Sequence, residues 1–380
     1  MSAQLSPAQI DFARQSPEIV RGVRAPTKVN FEALSLAFDN SLDAAAETGL
    51  SRLKRERLKA QLMRDVRRHG LAGMDGRLRF NYCKARLWLG DFSDYWGWEF
   101  RDFSPNETGW AAHLMWEETW LPKFGGGFCK RLLVLGEQGI GDTIFIGTIL
   151  PEAMTRCVEV IFECDPRLHT LLERSLPGLK CRPERQFEDR REDYGQIDAF
   201  IPAFDLMRMF RRDRGHFPGL PYLKPDQNRL AEVEKYRGRV GIMCNARQGS
   251  INSGDLGIKN PISLQYRPPA NVALKLLDAD ATEVEQPDID MWADIEGVVA
   301  LTSVLEKIVC VPNTVHHLAA AQGKRVEIIV PERKNPEARN LSPWDYSLAY
   351  NGGKLPWYRD AQVFEDVSAW RASCAGSRAP

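Results

Sequence analysis

The sequence predicts an α/β protein in which two α/β halves follow a helical N-terminal region. Three observations predict this class. Apolar residues recur at three- and four-residue intervals across residues 30–70, which is typical of amphipathic helices. Beyond residue 128, short apolar runs alternate with helical segments, as in a parallel sheet covered by helices on both faces. A proline-rich segment, residues 217–226, separates two series of this alternation.

The length of the chain allows two or three domains. With 380 residues, the chain can bury more than one core. We predict a helical region at residues 1–125, one α/β domain at 126–235 and a second at 236–380. The 51 basic residues balance the 51 acidic ones, so the net charge does not indicate nucleic acid or an anionic membrane as a partner.

The cysteine spacing and the lengths of the apolar runs predict the cellular compartment of the protein. The eight cysteines are scattered without a CxxC pair, which favours a reducing environment over a zinc site or a disulfide framework. No apolar run reaches 18 residues, and the first 20 residues lack the pattern of a signal peptide. We therefore expect a cytoplasmic protein without a membrane span.

Local charge is uneven, and each uneven stretch has two interpretations. Residues 51–86 hold twelve Lys and Arg against three acids, whereas residues 278–296 hold eight acids and no base. A solvated surface explains both stretches. The basic stretch is alternatively a patch for an anionic polymer such as nucleic acid.

The N-terminal region predicts two helical pairs followed by a linker. The first pair covers residues 30–70, and the second covers residues 79–90 and 92–103. Six of the ten tryptophans lie between residues 88 and 120, where they pack a helical core or, alternatively, form a stacking wall for sugars or bases. The glycines of residues 122–128 predict the linker.

The first α/β half predicts three strands and two helices. A helix follows a glycine-rich turn, and the next helix is capped by Asp165 with Pro166 at its first position. The predicted strands are residues 131–136, 158–164 and 197–202, and the predicted helices are residues 141–156 and 165–176.

The second half repeats the alternation. Its predicted strands are residues 238–246, 308–312 and 325–331, and its predicted helices are residues 271–279, 298–307 and 313–323. Gly323 ends the last of these helices.

The turn "LGEQGIGDT", residues 135–143, has three interpretations. A dinucleotide-binding turn needs a third glycine where Ile144 stands, although Glu163 lies near the position of a ribose-binding acid. A P-loop needs a GK[ST] ending, which is absent, and that interpretation fails. In the third interpretation Asp142 is a general base. The helix dipole keeps its carboxylate ionised, so it can take a proton from a hydroxyl. Spacing alone favours Asp142 as a simple helix cap.

Five motifs, in order along the chain, resemble tetratricopeptide-repeat-linked glycosyltransferases, which are relatives of the heptosyltransferase family. Each motif is moderately specific, and their shared order is more specific than any one of them. The motifs are "FNYCKARLWLGDFSDYWGWEFR", "LLVLGEQGIGDTIFIGTILP", "IDAFIPAFDL…FPGLPYLKPD", "NTVHHLAAAQGKRVEIIVP" and "LPWYRDAQVF", and they cover roughly residues 80–368.

This resemblance implies a fold and a reaction. The fold is GT-B, in which two Rossmann-like domains face a cleft, here after a TPR-like helical region. The reaction is metal-independent, inverting transfer of a sugar from a nucleotide-sugar donor, without a further cofactor. The resemblance makes Asp142 the catalytic base and places Gln138, Gly139 and Gly141 in the turn that approaches the substrates.

The resemblance also implies a donor site at the start of residues 313–323. Asn313 and Thr314 add side-chain donors to the free amides of the helix N-terminus, which suits a diphosphate. His317 aligns with the histidine of the family, whereas His316 takes no role. Pro312 replaces the usual aspartate of the family, so a donor contact of that carboxylate is lost. Asn313 is alternatively a helix cap only.

The loop at residues 244–264 adds two candidate cations. Arg247 and Lys259 stand shortly before a segment that resembles a Ser-Ile-Pro-like helix start, and they are candidates to neutralise the leaving diphosphate. Two DxD sequences, at residues 278–280 and 288–290, suggest metal-assisted transfer, but they lie in the acidic stretch, and we interpret them as solvated.

The sequence leaves the acceptor and two other function classes open. The acceptor hydroxyl belongs to a hydroxylated base in DNA or to a glycan, either a saccharide or a lipid-linked one. One alternative is a non-catalytic repeat scaffold that binds nucleotides, which the loss of the aspartate at Pro312 favours. The other is a Rossmann-type oxidoreductase.

Overall fold

The structure, a computed structural model, describes eight stretches of the chain. These are residues 122–136, 139–183, 196–212, 214–246, 249–266, 284–331, 353–364 and 366–376. The predicted helical pairs, the basic stretch 51–86 and the predicted helix 271–279 lie outside them. The described residues belong to two compact units. The first contains residues 122–130 and 196–216, the second contains residues 131–183 and those from 217 onward, and the predicted domain boundaries stay predictions.

The first sheet of the second unit follows the predicted alternation. Within it the strands lie in the order β3-β2-β1, and β2 and β3 are parallel. Leu132, Leu133 and Val134 are fully buried, which explains the uninterrupted apolar run of β1. The elements are β1 (Cys129–Leu135), α1 (Ile140–Gly147), α2 (Leu150–Arg156), β2 (Cys157–Cys164), α3 (His169–Ser175) and β3 (Leu179–Pro183).

The first unit contributes one strand and one helix to the described residues. β4 (Ala199–Pro202) leads directly into α4 (Ala203–Phe210). Phe200 forms a parallel bridge with Lys123, and the ammonium of Lys123 lies 2.6 Å from the buried carboxylate of Asp205. These contacts hold the predicted linker against α4.

The second sheet of the second unit has five strands in the order β11-β10-β9-β5-β8, and every pairing is parallel. Because the strands are parallel, their carboxyl ends share one edge of the sheet. The elements are α5 (Leu230–Val233), β5 (Val240–Met243), β6 (Asn245–Ala246), β7 (Gly249–Ser250), β8 (Ile262–Ser263), α6 (Ile295–Val304), β9 (Lys307–Cys310), α7 (Thr314–Ala320), β10 (Arg325–Ile329), β11 (Ala361–Phe364) and α8 (Val367–Gly376).

A buried carboxylate joins α8 to this sheet. Glu327 of β10 is 1% exposed, and its carboxylate accepts hydrogen bonds of 2.8 Å from Lys307 Nζ and from Trp370 Nε1. These charge-assisted bonds keep the pKa of Glu327 below its usual value although burial alone would raise it.

The local capping predictions are confirmed. Asp165 Oδ1 accepts from Arg167 N at 2.9 Å, and Pro166 opens the short 3₁₀ turn that leads into α3. Gly323, with φ of 79°, adopts the left-handed conformation that ends α7.

Two predicted elements differ from the structure. The single helix predicted at residues 141–156 is two helices, α1 and α2, because the chain breaks at Thr148 and Ile149 before Pro151 restarts it. The single strand predicted at residues 238–246 is two strands, β5 and β6, which belong to different sheets. Within the described residues, no helix is both long and apolar enough to cross a membrane.

Candidate active site

The glycine turn begins α1 with Asp142 on its first turn. Gly139 is the residue before the helix, and its backbone N–H donates to Asp142 Oδ2 at 3.0 Å. The side chain of Thr143 donates back to the carbonyl of Gly139 at 3.1 Å. Asp142 therefore caps the helix, which is the role that its spacing in the sequence favours. The residue is only half-buried, so its carboxylate remains accessible to solvent. Gln138 lies outside the described residues.

The turn before α7 is a reciprocal cap. Asn313 Oδ1 accepts from Val315 N at 2.7 Å and from His316 N at 3.2 Å. In return, Asn313 N donates to His316 Nδ1 at 3.0 Å. Two amides expected to face a diphosphate therefore already bond to Asn313, and a bound phosphate has to share or displace these hydrogen bonds.

The two turns are in direct contact. α1 and α7 pack against each other, and a Cβ at Gly141 would lie 3.1 Å from His317 Cδ2 and 3.5 Å from Thr314 Oγ1. Such a Cβ would lie closer than an ordinary van der Waals contact allows. The absence of a side chain at Gly141 therefore lets α1 approach α7. The fold thus places Asp142 one residue from the contact with Thr314 and His317.

His317 is held by a tyrosine from the last motif of the chain. His317 and Tyr358 are 5% and 1% exposed, and His317 Nδ1 lies 3.0 Å from the Tyr358 hydroxyl. The ring of His316 stacks on that of His317 with centroids 3.8 Å apart. Burial lowers the pKa of both histidines, to about 3 for His316, so both rings are neutral at physiological pH.

Aromatic residues from two further motifs support α1. Tyr222 Oη donates to the carbonyl of Ile144 at 2.5 Å and lies where Gly147 has no side chain. Trp357 meets Phe145 edge to face, with ring centroids 5.0 Å apart. Four of the five motifs therefore meet around α1 and α7.

The sequence did not single out Tyr222, Trp357 or Tyr358 as site residues. The motifs "PYL" and "LPWY" that contain them were noted only for their similarity to a family. The hydrogen bonds of Tyr358 and Tyr222 link residues 41 and 78 positions apart, and Trp357 contacts Phe145 from still farther along the chain, so no local periodicity reveals these contacts.

Lys259 is one of the two cations expected at the diphosphate. It is exposed and precedes β8, and the next residue, Asn260, accepts a hydrogen bond of 2.8 Å from Arg239, which lies just before β5. The amino ends of β5 and β8 lie at the edge opposite the carboxyl end of β9, where Asn313 follows. Lys259 therefore lies towards the edge of the sheet opposite Asn313, and its contact with a diphosphate stays a prediction. Arg247 lies outside the described residues.

Two other candidate groups have structural partners. Glu163 is 1% exposed and bonds to Arg182 Nη2 at 2.6 Å, so its carboxylate serves an ion pair between β2 and β3. Asp290 accepts from the amides of Trp292 and Ala293, at 2.9 and 3.0 Å, which is a turn contact. Asp288 is exposed, and residues 278–280 lie outside the part of the chain that the structure describes. Among the residues described, no three His, Cys, Asp or Glu side chains gather as a metal ion requires.

The lowered pKa of the buried capping residue His316 predicts that acid destabilises the folded state. The folded state lowers the pKa of His316 to about 3, whereas an unfolded histidine titrates near its ordinary 6.5. Between these values the unfolded state binds more protons, so stability is complete above pH 6.5 and falls as the pH is lowered. His316 alone removes about 2 kcal/mol at pH 5, measured by urea unfolding at several pH values.

His316→Gln is the variant for this pH prediction. Glutamine at the third helical position can reach back to Asn313 N as histidine does, but it does not titrate. We expect the free energy of unfolding of this variant to fall less steeply with decreasing pH than that of the unaltered protein. Equal slopes in His316→Gln and in the unaltered protein would contradict the assignment.

Comparisons with known proteins add one distant relative. No family profile matches the sequence. Protein FlbA of Caulobacter vibrioides is 26% identical over an alignment of 276 residues, which covers 63% of this chain and 44% of that protein. The chain therefore aligns with less than half of the length of this relative.

Solved structures align with about two thirds of the chain at low similarity. The glycosyl transferase family 9 protein of Veillonella parvula aligns with 66% of this chain and 90% of its own, at 9% identity and a TM-score of 0.39. ADP-heptose lps heptosyltransferase II of E. coli aligns with 66% of this chain and 100% of its own, at 11% identity and a TM-score of 0.41.

Proposed function

We propose that this chain is an inverting glycosyltransferase of the GT-B type that uses Asp142 as its base. The observation that carries the proposal is the direct contact between the Asp142 turn and the Thr314–His317 turn, with Gly141 as the point of approach. These turns contain two motifs that resemble the catalytic and donor segments of one glycosyltransferase family. A half-buried carboxylate beside a second helix start is suited to proton removal next to a bound anion.

In the proposed reaction each residue has one role. Asp142 takes the proton of the acceptor hydroxyl, and the oxygen attacks the anomeric carbon as the bond to the nucleoside diphosphate breaks. Thr314 and neutral His317 contribute hydrogen-bond donors to the leaving diphosphate. Arg247 stays a candidate for the compensating positive charge. Metal independence, the donor sugar and the acceptor, whether a base in DNA or a glycan, are further parts of this proposal.

A panel of nucleotide sugars tests the donor side. We expect one or two among ADP-, UDP-, GDP- and dTDP-sugars to raise the melting temperature, because a ligand that binds only the folded state stabilises it. The same compounds are then assayed for slow release of nucleoside diphosphate without an acceptor. A panel in which no compound shifts the transition contradicts the proposed donor site.

A non-catalytic nucleotide-binding scaffold is the second candidate. It is favoured by the use of Asp142 Oδ2 and Asn313 Oδ1 as helix caps and by the buried Pro312 at the aspartate position of the family. For this candidate a nucleotide raises the melting temperature, but no donor is hydrolysed. An oxidoreductase is less well supported, because Glu163 bonds to Arg182.

A further inference from the structure

The hydrogen bond between Tyr358 and His317 lies on the side of the imidazole that faces away from the glycine turn. Nδ1 is 3.0 Å from the Tyr358 hydroxyl, whereas the Cδ2 atom, which is bonded to Nε2, is the ring atom nearest to the Cβ position of Gly141. One edge of the ring is thus held by Tyr358, and the other edge faces the turn that carries Asp142.

The chemistry of the two groups decides which of them donates. A neutral imidazole has one bare nitrogen, which is a better acceptor than a phenol oxygen, and a phenol O–H is a better donor than an imidazole N–H. Both rings are buried and meet at an angle of 67°, with centroids 5.7 Å apart, so the pair is fixed by packing. A proton on the Tyr358 hydroxyl therefore leaves the histidine proton on Nε2.

The neighbours of His317 keep it neutral. His316 stacks on it, and because His316 Nδ1 accepts from Asn313 N, that ring is also unprotonated at Nδ1. Thr314 Oγ1 and the Asp142 turn lie on the other side, at Gly141. A cation at His317 would be desolvated in this packing.

We propose that Tyr358 is a positioning residue that donates to His317 Nδ1, fixes the Nε2–H tautomer and so presents a neutral N–H to the diphosphate of the donor. The inference rests on the proposed function for the identity of that ligand, whereas the tautomer itself is a property of the protein alone. Tyr358 acts through His317 and does not touch the donor.

The tautomer is measured on the full chain labelled with ¹⁵N-histidine. Long-range ¹H–¹⁵N spectra report whether each histidine nitrogen carries a proton, and His317→Gln assigns the signals by their loss. We expect a bare Nδ1 and a protonated Nε2 in the unaltered protein, and a mixture of tautomers in Tyr358→Phe. A protonated Nδ1 in the unaltered protein, or an unchanged tautomer in Tyr358→Phe, overturns the inference.

Diphosphate binding is the second measurement. ADP, UDP and GDP are each titrated, and for the one that binds we expect Tyr358→Phe to weaken the affinity about tenfold. Tyr236→Phe, at a buried tyrosine outside the site, is expected to bind like the unaltered protein. In the His317→Gln background, Tyr358→Phe should have no added effect, since its action passes through His317. Unchanged affinity in Tyr358→Phe, or an equal loss in both backgrounds, overturns the inference.

The two proposals fail in different ways. If the unaltered protein shows the Nε2–H tautomer but binds no nucleoside diphosphate and hydrolyses no donor, the proposed function is wrong and the tautomer assignment stands. If it hydrolyses a donor while Tyr358→Phe keeps both affinity and tautomer, only the role of Tyr358 is wrong. Circular dichroism confirms that each variant is folded before either conclusion is drawn.

Discussion

Replacing Asp142 by asparagine is expected to abolish sugar transfer while the fold and donor binding remain. The asparagine side chain keeps an oxygen that can accept the 3.0 Å hydrogen bond from Gly139 N, so the cap of α1 persists. It cannot take a proton from a hydroxyl, and loss of a general base slows a reaction by about 10²–10⁴-fold. The measurement is the rate of nucleoside diphosphate release, together with the thermal shift that the donor produces.

Asp366→Asn is the matched control. Asp366 precedes α8, and its Oδ1 accepts from Ala369 N at 2.7 Å, so it is likewise a carboxylate that bonds one backbone amide at a helix start, but outside the candidate site. We expect this variant to turn over normally. Asp142→Ala completes the set, because it removes both base and cap and should cost about 1 kcal/mol of stability in addition. Retained turnover in Asp142→Asn removes Asp142 from the mechanism and leaves it a cap.

The elements that sequence predicted well are those that depend on neighbouring residues. The uninterrupted apolar run within β1 is a buried strand, because burial on both faces favours apolar side chains at every position. The apolar residues of β10 are buried as well, but they flank the ion-paired Glu327. The Asp165 cap and the left-handed Gly323 are likewise local, since each involves hydrogen bonds or dihedral angles within a single turn.

Elements that depend on distant partners were missed. β8 has only two residues, so it has no sequence pattern of its own and is defined by its pairing with β5. That pairing also sets the position of Lys259, which precedes β8 and which the sequence could not place relative to Asn313. β11 becomes a strand because β10 offers it a parallel edge.

The candidate site divides in the same way. Sequence predicted roles for Asp142, Asn313, Thr314 and His317, because their motifs resemble those of a known family. It could not show that Asn313 Oδ1 already bonds two amides of α7, nor that Tyr358 reaches His317 from 41 residues away. The chemistry of single residues is therefore visible in the sequence, whereas their hydrogen-bond partners are set by packing.

Gly147→Ala is expected to destabilise the protein by about 2–3 kcal/mol, because it overpacks the junction of two motifs. A Cβ at this position would lie 2.1 Å from Tyr222 Oη and 2.6 Å from Tyr222 Cζ, so the phenol has to move. Its movement also breaks the hydrogen bond to the carbonyl of Ile144. Alanine gains about 1 kcal/mol of helix propensity over glycine, which offsets only part of this loss. The free energy of unfolding in urea measures the difference.

Gly127→Ala is the control for the same chemical change, because nothing lies within 4 Å of a Cβ there. It should be neutral or slightly stabilising, since alanine restricts the unfolded chain. Tyr222→Phe in the Gly147→Ala background removes the oxygen of the closest contact, so the double variant should lose less than the sum of the single changes. Additive losses would mean that Tyr222 does not occupy the space at Gly147, and the support that the "PYL" segment gives to α1 would then be wrong.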